Sequence, residues 1–303
     1  MDSIKKSRRI RISPGRLFFE IINYSLLGLT AILCIIPVVH VFAVSLSSAG
    51  PAAAGRVGLW PIGVNLQAYE YVMSKPEFGR SLWITFQRTV IGTSISIVLT
   101  ILTAYPLSKD KTQFKARSIF VWVFYFTALF GGGLIPTYLV VNQTGIIDSI
   151  WALTIPDAVA IANIVLMLNF FRRLPKEIEE AALIDGAGQW RILLNIVVPV
   201  SKAVIATVVL FQMVYHWNEW FYGRIYMNKT INYPLQAYLR GLIAPDAVGL
   251  EMMTMDEALA YINVNTQNSK AAQIFVAAIP IIITYPFLQK YFATGIVLGS
   301  VKG

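Results

Sequence analysis

Leu174 to Pro199 reads LPKEIEEAALIDGAGQWRILLNIVVP. This charged stretch lies between two long apolar runs, with Arg172 and Arg173 just ahead of it. Pro175 suits the first turn of a helix, where a missing N–H costs nothing. Residues 176–185 follow as a helix, with Ile178, Ala181, Ala182 and Asp185 recurring at three- and four-residue steps on one face. Gly186 takes the left-handed conformation that ends a helix cheaply. A second short helix over 189–197 precedes Pro199, which punctuates it. The stretch therefore predicts a helix–Gly–helix elbow held against a membrane surface. Its small residues Ala181, Ala182, Gly186 and Ala187 leave a face that another protein's groove can approach closely. An amphipathic helix resting on lipid headgroups fits the same pattern.

The chain around the elbow has the composition of a membrane protein. Of its 303 residues 56% are hydrophobic and 14% charged, where a soluble domain carries about a quarter charged. Apolar runs of roughly 20 residues recur, each long enough to cross a bilayer. They predict an all-α polytopic protein with six spans, at 17–46, 80–107, 118–141, 150–171, 202–222 and 271–289. The first run is much longer than the 7–15 residues of a signal core and reads as an uncleaved span behind the basic residues 1–16. A Gly-, Pro- and Ala-rich loop at 47–79, a core region at 80–289 with a polar loop at 223–270, and a tail at 290–303 complete the plan.

Several classes are excluded. Cys34 is the single cysteine, so no disulfide forms within the chain. His40 and His216 are far apart, and no metal-ligand cluster, Gly-rich phosphate loop or catalytic set accompanies them. The chain is expected to be no enzyme and to bind no metal or cofactor itself. Its net charge of +9 is explained by topology. With the N-terminus inside, 17 Lys and Arg fall on inner segments and 7 on outer ones, with Arg88 inside a span. That bias places both termini and the elbow in the cytoplasm, and no nucleic-acid partner is expected.

Charge inside a bilayer is costly and marks function by default. Arg88, Asp157 and Glu219 fall in spans two, four and five, all in the outer half of the membrane. Two readings stand: an ion pair tying spans together, or side chains along the path of a polar solute. Trp217, Asn218 and Trp220 beside Glu219 suit a sugar, and an aromatic belt at the interface explains them equally. Asn163 in span four reads as an interhelical hydrogen-bonder. Arg88, Asp157, Asn163, Trp217, Asn218, Glu219 and Trp220 form the candidate translocation pathway. Gly131, Gly132 and Gly133 in span three permit either close packing or a local break.

The elbow also carries a resemblance. Glu180-Ala181-Ala182, three residues, Gly186, nine residues, Ile196, then Pro199 resembles the EAA loop of ABC-importer permeases, with Val198 where that family has Leu. Ala104-Tyr105-Pro106-Leu107-Ser108, the GGGLIPTY stretch at 131–138, Trp217-Asn218-Glu219-Trp220 and the tail GIVLGSVKG at 295–303 are similar to carbohydrate-importer permeases of the maltose and aldouronate type. The resemblance implies the type I importer fold and a role in carrying an oligosaccharide, uronic-acid-containing fragments among the candidates, across the inner membrane of a bacterium. A permease for a non-sugar solute and a membrane anchor or signalling subunit are the alternatives. It implies a second homologous permease in a pseudo-twofold pair, two ATPase subunits that hold ATP and Mg, and an extracytoplasmic solute-binding protein. It assigns ATPase coupling to Glu180, Ala181, Ala182, Asp185, Gly186, Ala187, Ile196 and Pro199. It places the tail residues Gly299, Ser300, Val301, Lys302 and Gly303 at the ATPase interface.

Overall fold

The computed structural model describes residues 14–243 and 267–300, and among them there is no strand. The helices are α1 (Pro14–Ser45), α2 (Ala49–Ala53), α3 (Gln67–Ser74), α4 (Pro76–Ser108), α5 (Arg117–Leu129), α6 (Leu134–Gln143), α7 (Ile161–Phe171), α8 (Lys176–Ile184), α9 (Gln189–Ile192), α10 (Val198–Val200), α11 (Lys202–Asn218), α12 (Phe221–Tyr226), α13 (Leu235–Ile243) and α14 (Gln267–Ser300). A π turn, Leu193–Val197, joins α9 to α10, and a 3₁₀ turn, Thr230–Asn232, precedes α13. Among the described residues α1 and α4 are each long and apolar enough to cross a membrane. Two bent pairs would each supply one more span: α5 with α6, at 115°, and the helix Gln189–Val200 with α11, at 82°.

The chain divides into two compact units. The first takes the chain up to Glu70 and the stretch that ends at Phe275. Within it α1 exposes nearly all of its apolar side chains, as a helix sheathed in lipid does. Ser45 Oγ and Tyr69 Oη lie 2.7 Å apart, Asn268 Nδ2–H donates to Ser47 O at 3.2 Å, and the Phe42 and Phe275 rings meet at 4.6 Å.

The second unit, from Tyr71 and resuming at Val276, is built around α4. This helix starts with Pro76 in its first turn, where proline needs no N–H partner. Its buried face runs Ser81, Thr85, Arg88, Thr89, Gly92, Thr93, Ser96, Thr100 at helical spacing, while Trp83, Phe86, Val90, Val98 and Leu102 are exposed. Lipid takes the apolar face, and hydroxyls and a glycine take the protein face, where α7 and α11 pack. At Gly92 the backbone approaches the His216 ring so closely that a Cβ there would lie 2.5 Å from its Cε1 and Nε2. Toward one end of α4 the core turns apolar, with Ala104, Ile164, Met167, Phe171, Ile192 and Val208 in one cluster.

Three expected spans depart from continuous helices. Span three, expected at 118–141, stops at Phe130, whose backbone is extended, and restarts after Gly133 at φ 84°. Gly131 and Gly133 do not pack within this chain: nothing lies within 4 Å of a Cβ built on either, and one on Gly132 meets only Pro136, at 3.7 Å. Span four, expected at 150–171, is helical only over α7; residues 144–160 are turns and bends. Pro156 forbids its predecessor the helical region and removes one N–H, which ends the helix pattern there. In span five, expected at 202–222, the helix breaks at Glu219 and restarts as α12. The helix of span six does not stop at residue 289, since α14 continues to Ser300. Residues 1–13 of the basic N-terminus, residues 244–266 of the polar loop, and Val301, Lys302 and Gly303 lie outside the described residues.

Candidate functional site

The elbow folds as a bracket. Pro175 precedes α8, and Glu177 and Glu179 in its first turn face the positive end of the helix. At its end Gly186 N–H donates to Leu183 O at 3.0 Å and Ala187 N–H to Ala182 O at 2.9 Å, with Gly186 at φ 77°. This is the Schellman arrangement, and it satisfies carbonyls that the helix end leaves open. Pro199 does not end the second helix as expected. The chain accommodates it by widening into the π turn and stays helical to Val200, and the 82° bend comes at Ser201.

Of the residues assigned to coupling, Glu180, Ala181, Asp185, Gly186 and Pro199 are exposed, and Ala187 and Ile196 are partly covered. Ala182 is buried in the chain's own core, so it seats α8 and offers nothing to a partner here. Ile184 is 86% exposed and Trp190 67%. These large apolar side chains, absent from the sequence-based set, stand out from a charged helix pair as a docking face does.

The bracket is bolted to the end of α4. Tyr105 Oη–H is placed to donate to Gln189 Oε1 at 2.8 Å and to Glu179 Oε1 at 3.2 Å. Lys109 forms an ion pair with Glu179 and lies 4.0 Å over the Tyr105 ring. Lys176 Nζ donates to Asp110 Oδ2 at 2.7 Å. Arg117 Nε–H and Arg172 Nη2–H both point at Leu107 O, at 2.8 and 3.5 Å. Burial pushes the Lys109 ammonium down to about 8. The hydrogen bond and charge of Lys176 hold Asp110 below the usual carboxylate range, and Asp110 raises Lys176 in return. Tyr105, Lys109, Glu179 and Gln189 were missed as a site because Glu179 and Gln189 return to the end of α4 only after 70 to 84 further residues. The complementary charges of Lys109 and Glu179 were the available signal.

The intramembrane charges form a second cluster. Arg88 is fully buried, and its Nη1 lies 2.5 Å from Glu219 Oε2. Its Nε–H donates to Leu153 O and its Nη1–H to Glu219 O, each at 3.1 Å. Both carbonyls belong to non-helical backbone, so one guanidinium fastens the broken parts of spans four and five. Irregular backbone survives at membrane depth only when protein or water satisfies it. The other carboxylate oxygen of Glu219 accepts Tyr222 N–H at 2.8 Å and caps α12. Asp157 accepts Tyr215 Oη–H at 2.6 Å. Arg88 and Glu219 form an ion pair between spans two and five. Trp217 is buried, its Nε1–H donating to Ala277 O at 3.0 Å, and Asn218 is exposed, donating to Val214 O. Trp220 lies under the Arg240 guanidinium at 3.8 Å. Asn163 is buried on α7 and makes none of these bonds.

Residues 113–297 match the family described as binding-protein-dependent transport system inner membrane component. The chain is similar to Protein LplC of Bacillus subtilis strain 168, 39% identical over 290 residues that cover 95% of this chain and 96% of that protein. It is similar to the polygalacturonan/rhamnogalacturonan transport system permease protein YtcP of the same organism, 38% identical over 285 residues, 94% of this chain and 98% of that one. Its fold matches a crystal structure of a bacterial ABC transporter involved in the import of the acidic polysaccharide alginate, with a TM-score of 0.82, 31% identity, and coverage of 92% of this chain and 98% of that chain. The chain belongs to the binding-protein-dependent inner membrane components, the permease subunits of ABC transporters, and is not an enzyme.

Proposed function

We propose that the chain is one of two permeases in an ATP-driven importer that carries an acidic oligosaccharide across the inner membrane of a bacterium. The relatives that handle polygalacturonan, rhamnogalacturonan and alginate support the substrate class. In this reading the chain crosses the membrane six times with both ends in the cytoplasm. Two ATPase subunits hold ATP and Mg, and one of them receives α8 in a groove. An extracytoplasmic binding protein delivers the sugar between the two permeases. Trp217, Asn218 and Trp220 contribute to the route, and Arg88 with Glu219 keeps its outer half rigid. The tail from Gly299 reaches the ATPase pair. The observation that carries the reading is the elbow: two short helices joined at Gly186, apolar at Ile184 on α8 and Trp190 on α9 though flanked by charge, fixed to a membrane helix through Tyr105. Such a helix in a groove transmits rigid-body motion to a bundle that rocks about a central site.

The test is reconstitution of the full complex in vesicles with its binding protein. Hydrolysis stimulated by binding protein loaded with galacturonate or mannuronate oligomers, and uptake of the labelled oligomers, is the expected result. Stimulation by a neutral oligosaccharide alone would remove the acidic substrate. Failure to co-purify with any ATPase would remove the whole reading.

A further inference from the structure

We infer that the Tyr105 hydroxyl is the positioning group through which the elbow drives α4, and that α4 carries the stroke to the outer half of the permease. The inference rests on the coupling role proposed for the elbow and names the part that transmits it.

The elbow has three physical routes into the bundle. The chain itself leads into α7 through Arg172 to Pro175, and into α11 through the bend at Ser201. The third route is the side-chain contact with α4. Free volume lies on both sides of that contact. A cavity of about 370 Å³ opens toward Arg172, Lys176 and Glu179, and one of about 510 Å³ toward Phe114, Trp190 and Leu193. Tyr105, Lys109, Gln113 and Leu183 line both. A gap transmits no push, because contact forces vanish within an ångström of separation. The polar post of Tyr105 and Lys109 therefore shares the load between elbow and α4 with the buried apolar contacts of Ala182 and Ile192 and with the Lys176–Asp110 bond.

Tyr105 is placed to hold both halves of the elbow, Glu179 on α8 and Gln189 on α9. One phenolic proton serves one acceptor at a time. The hydroxyl is thus a two-position link, able to follow the elbow as it tilts into either cavity without letting go. The ring is fixed independently: it is buried, edge-on to Phe171 at 6.4 Å. At the far end of the same helix, Arg88 grips the backbone of Leu153 and Glu219. The two grips are 17 positions apart in the sequence, about 25 Å along a helix. A push on the elbow is delivered to the broken outer segments as movement of one rod.

The experiment uses the reconstituted complex of both permeases, ATPase and binding protein, carrying Tyr105→Phe in this chain. Phenylalanine keeps the ring packing and removes the link. Assembly and stimulated ATP hydrolysis should stay at the level of the unchanged complex and the melting temperature should fall by no more than about 5 °C, while oligosaccharide imported per ATP falls roughly three- to tenfold, the scale of one lost hydrogen bond. Gln189→Glu, which keeps an acceptor for the hydroxyl, should retain more of that ratio than Gln189→Met. An unchanged ratio in Tyr105→Phe overturns the inference. So does a loss of hydrolysis and import in equal proportion, which would make the hydroxyl a docking group and not a transmitting one. If the unchanged complex shows no coupling between this chain and an ATPase, the coupling role of the elbow fails first.

Discussion

Replacing Arg88 by methionine is expected to destabilise the permease by about 5 kcal/mol. Arg88 is wholly buried and the Glu219 side chain is 9% exposed. Removing the cation leaves that carboxylate alone inside the protein, which costs about 3–5 kcal/mol. The carbonyls of Leu153 and Glu219 lose their donor as well, at about 1–3 kcal/mol each where nothing replaces it. One side chain serves all three, so the costs overlap and the total stays near the upper end of the first. Arg88→Met with Glu219→Gln removes the orphaned charge and keeps an acceptor for Tyr222 N–H. The pair should recover about 3 kcal/mol and retain a loss of about 2 kcal/mol for the bare carbonyls. Heating the purified complex in detergent and following the folded fraction by size-exclusion chromatography measures both. At about 2–4 °C per kcal/mol for a chain of this size, Arg88→Met should melt 10 °C or more below the unchanged protein. A melting point within about 2 °C of it, or a double variant no more stable than the single one, would refute the staple.

Three further outcomes are expected. Gly92→Ala forces the His216 ring to shift and should cost about 1–3 kcal/mol, the usual penalty of overpacking; in a His216→Ala background the same change should cost under about 1 kcal/mol, so a double-mutant cycle on melting temperature decides it. Gly186→Val places a branched side chain at φ 77° in open space, so strain acts without a clash and costs about 1–2 kcal/mol. Membrane insertion should be intact and co-purified ATPase reduced, while Gly186→Asn, which tolerates that conformation, keeps the ATPase. The third concerns pH. Lys109 sits at about 8 in the fold, below its unfolded value of about 10.4. Relative to the unfolded chain the fold favours the neutral amine, so the Lys109 contribution to stability is flat below pH 8 and rises with pH between about 8 and 10.4. Melting temperatures across that window should show the rise, and Lys109→Met should abolish it.

Composition and charge made the helical membrane class legible, because apolar length and the placement of Lys and Arg are properties of the chain alone. The elbow was legible too: Pro175 and Gly186 act within their own turns, so local chemistry places them. The error at Pro199 is instructive. Proline was read as a stop, yet a π turn absorbed it at the cost of one widened turn. The break in span three was one of two open readings of its glycines, and the break in span four was hidden because hydropathy counts apolar side chains and is blind to backbone. Pro156 and the glycines were visible, but only contacts across the fold decide whether such residues bend a helix or end it. Arg88 shows the same limit. Its pairing with Glu219 was one of two open readings, whereas its hold on Leu153 O was invisible, since a carbonyl leaves no mark in the alphabet of side chains. Tyr105 was noted as part of a motif without a role, because its partners on α8 and α9 arrive from 74 and 84 residues away.

The hydroxyl-lined inner face of α4 bears on how the protein is made. A newly synthesised α1 can leave the insertion machinery for lipid unaided, since it carries no Lys, Arg, Asp or Glu between Ile21 and Ser45. By contrast α4 carries Arg88, worth about 2.5–3.5 kcal/mol against release into hydrocarbon if it lies at mid-helix. Its counterparts are 65 and 131 residues downstream, at Leu153 and Glu219. The ribosome must therefore translate past the end of α11 before the guanidinium finds its carboxylate. A chain truncated before Glu219 leaves the buried Arg88 guanidinium without its carboxylate.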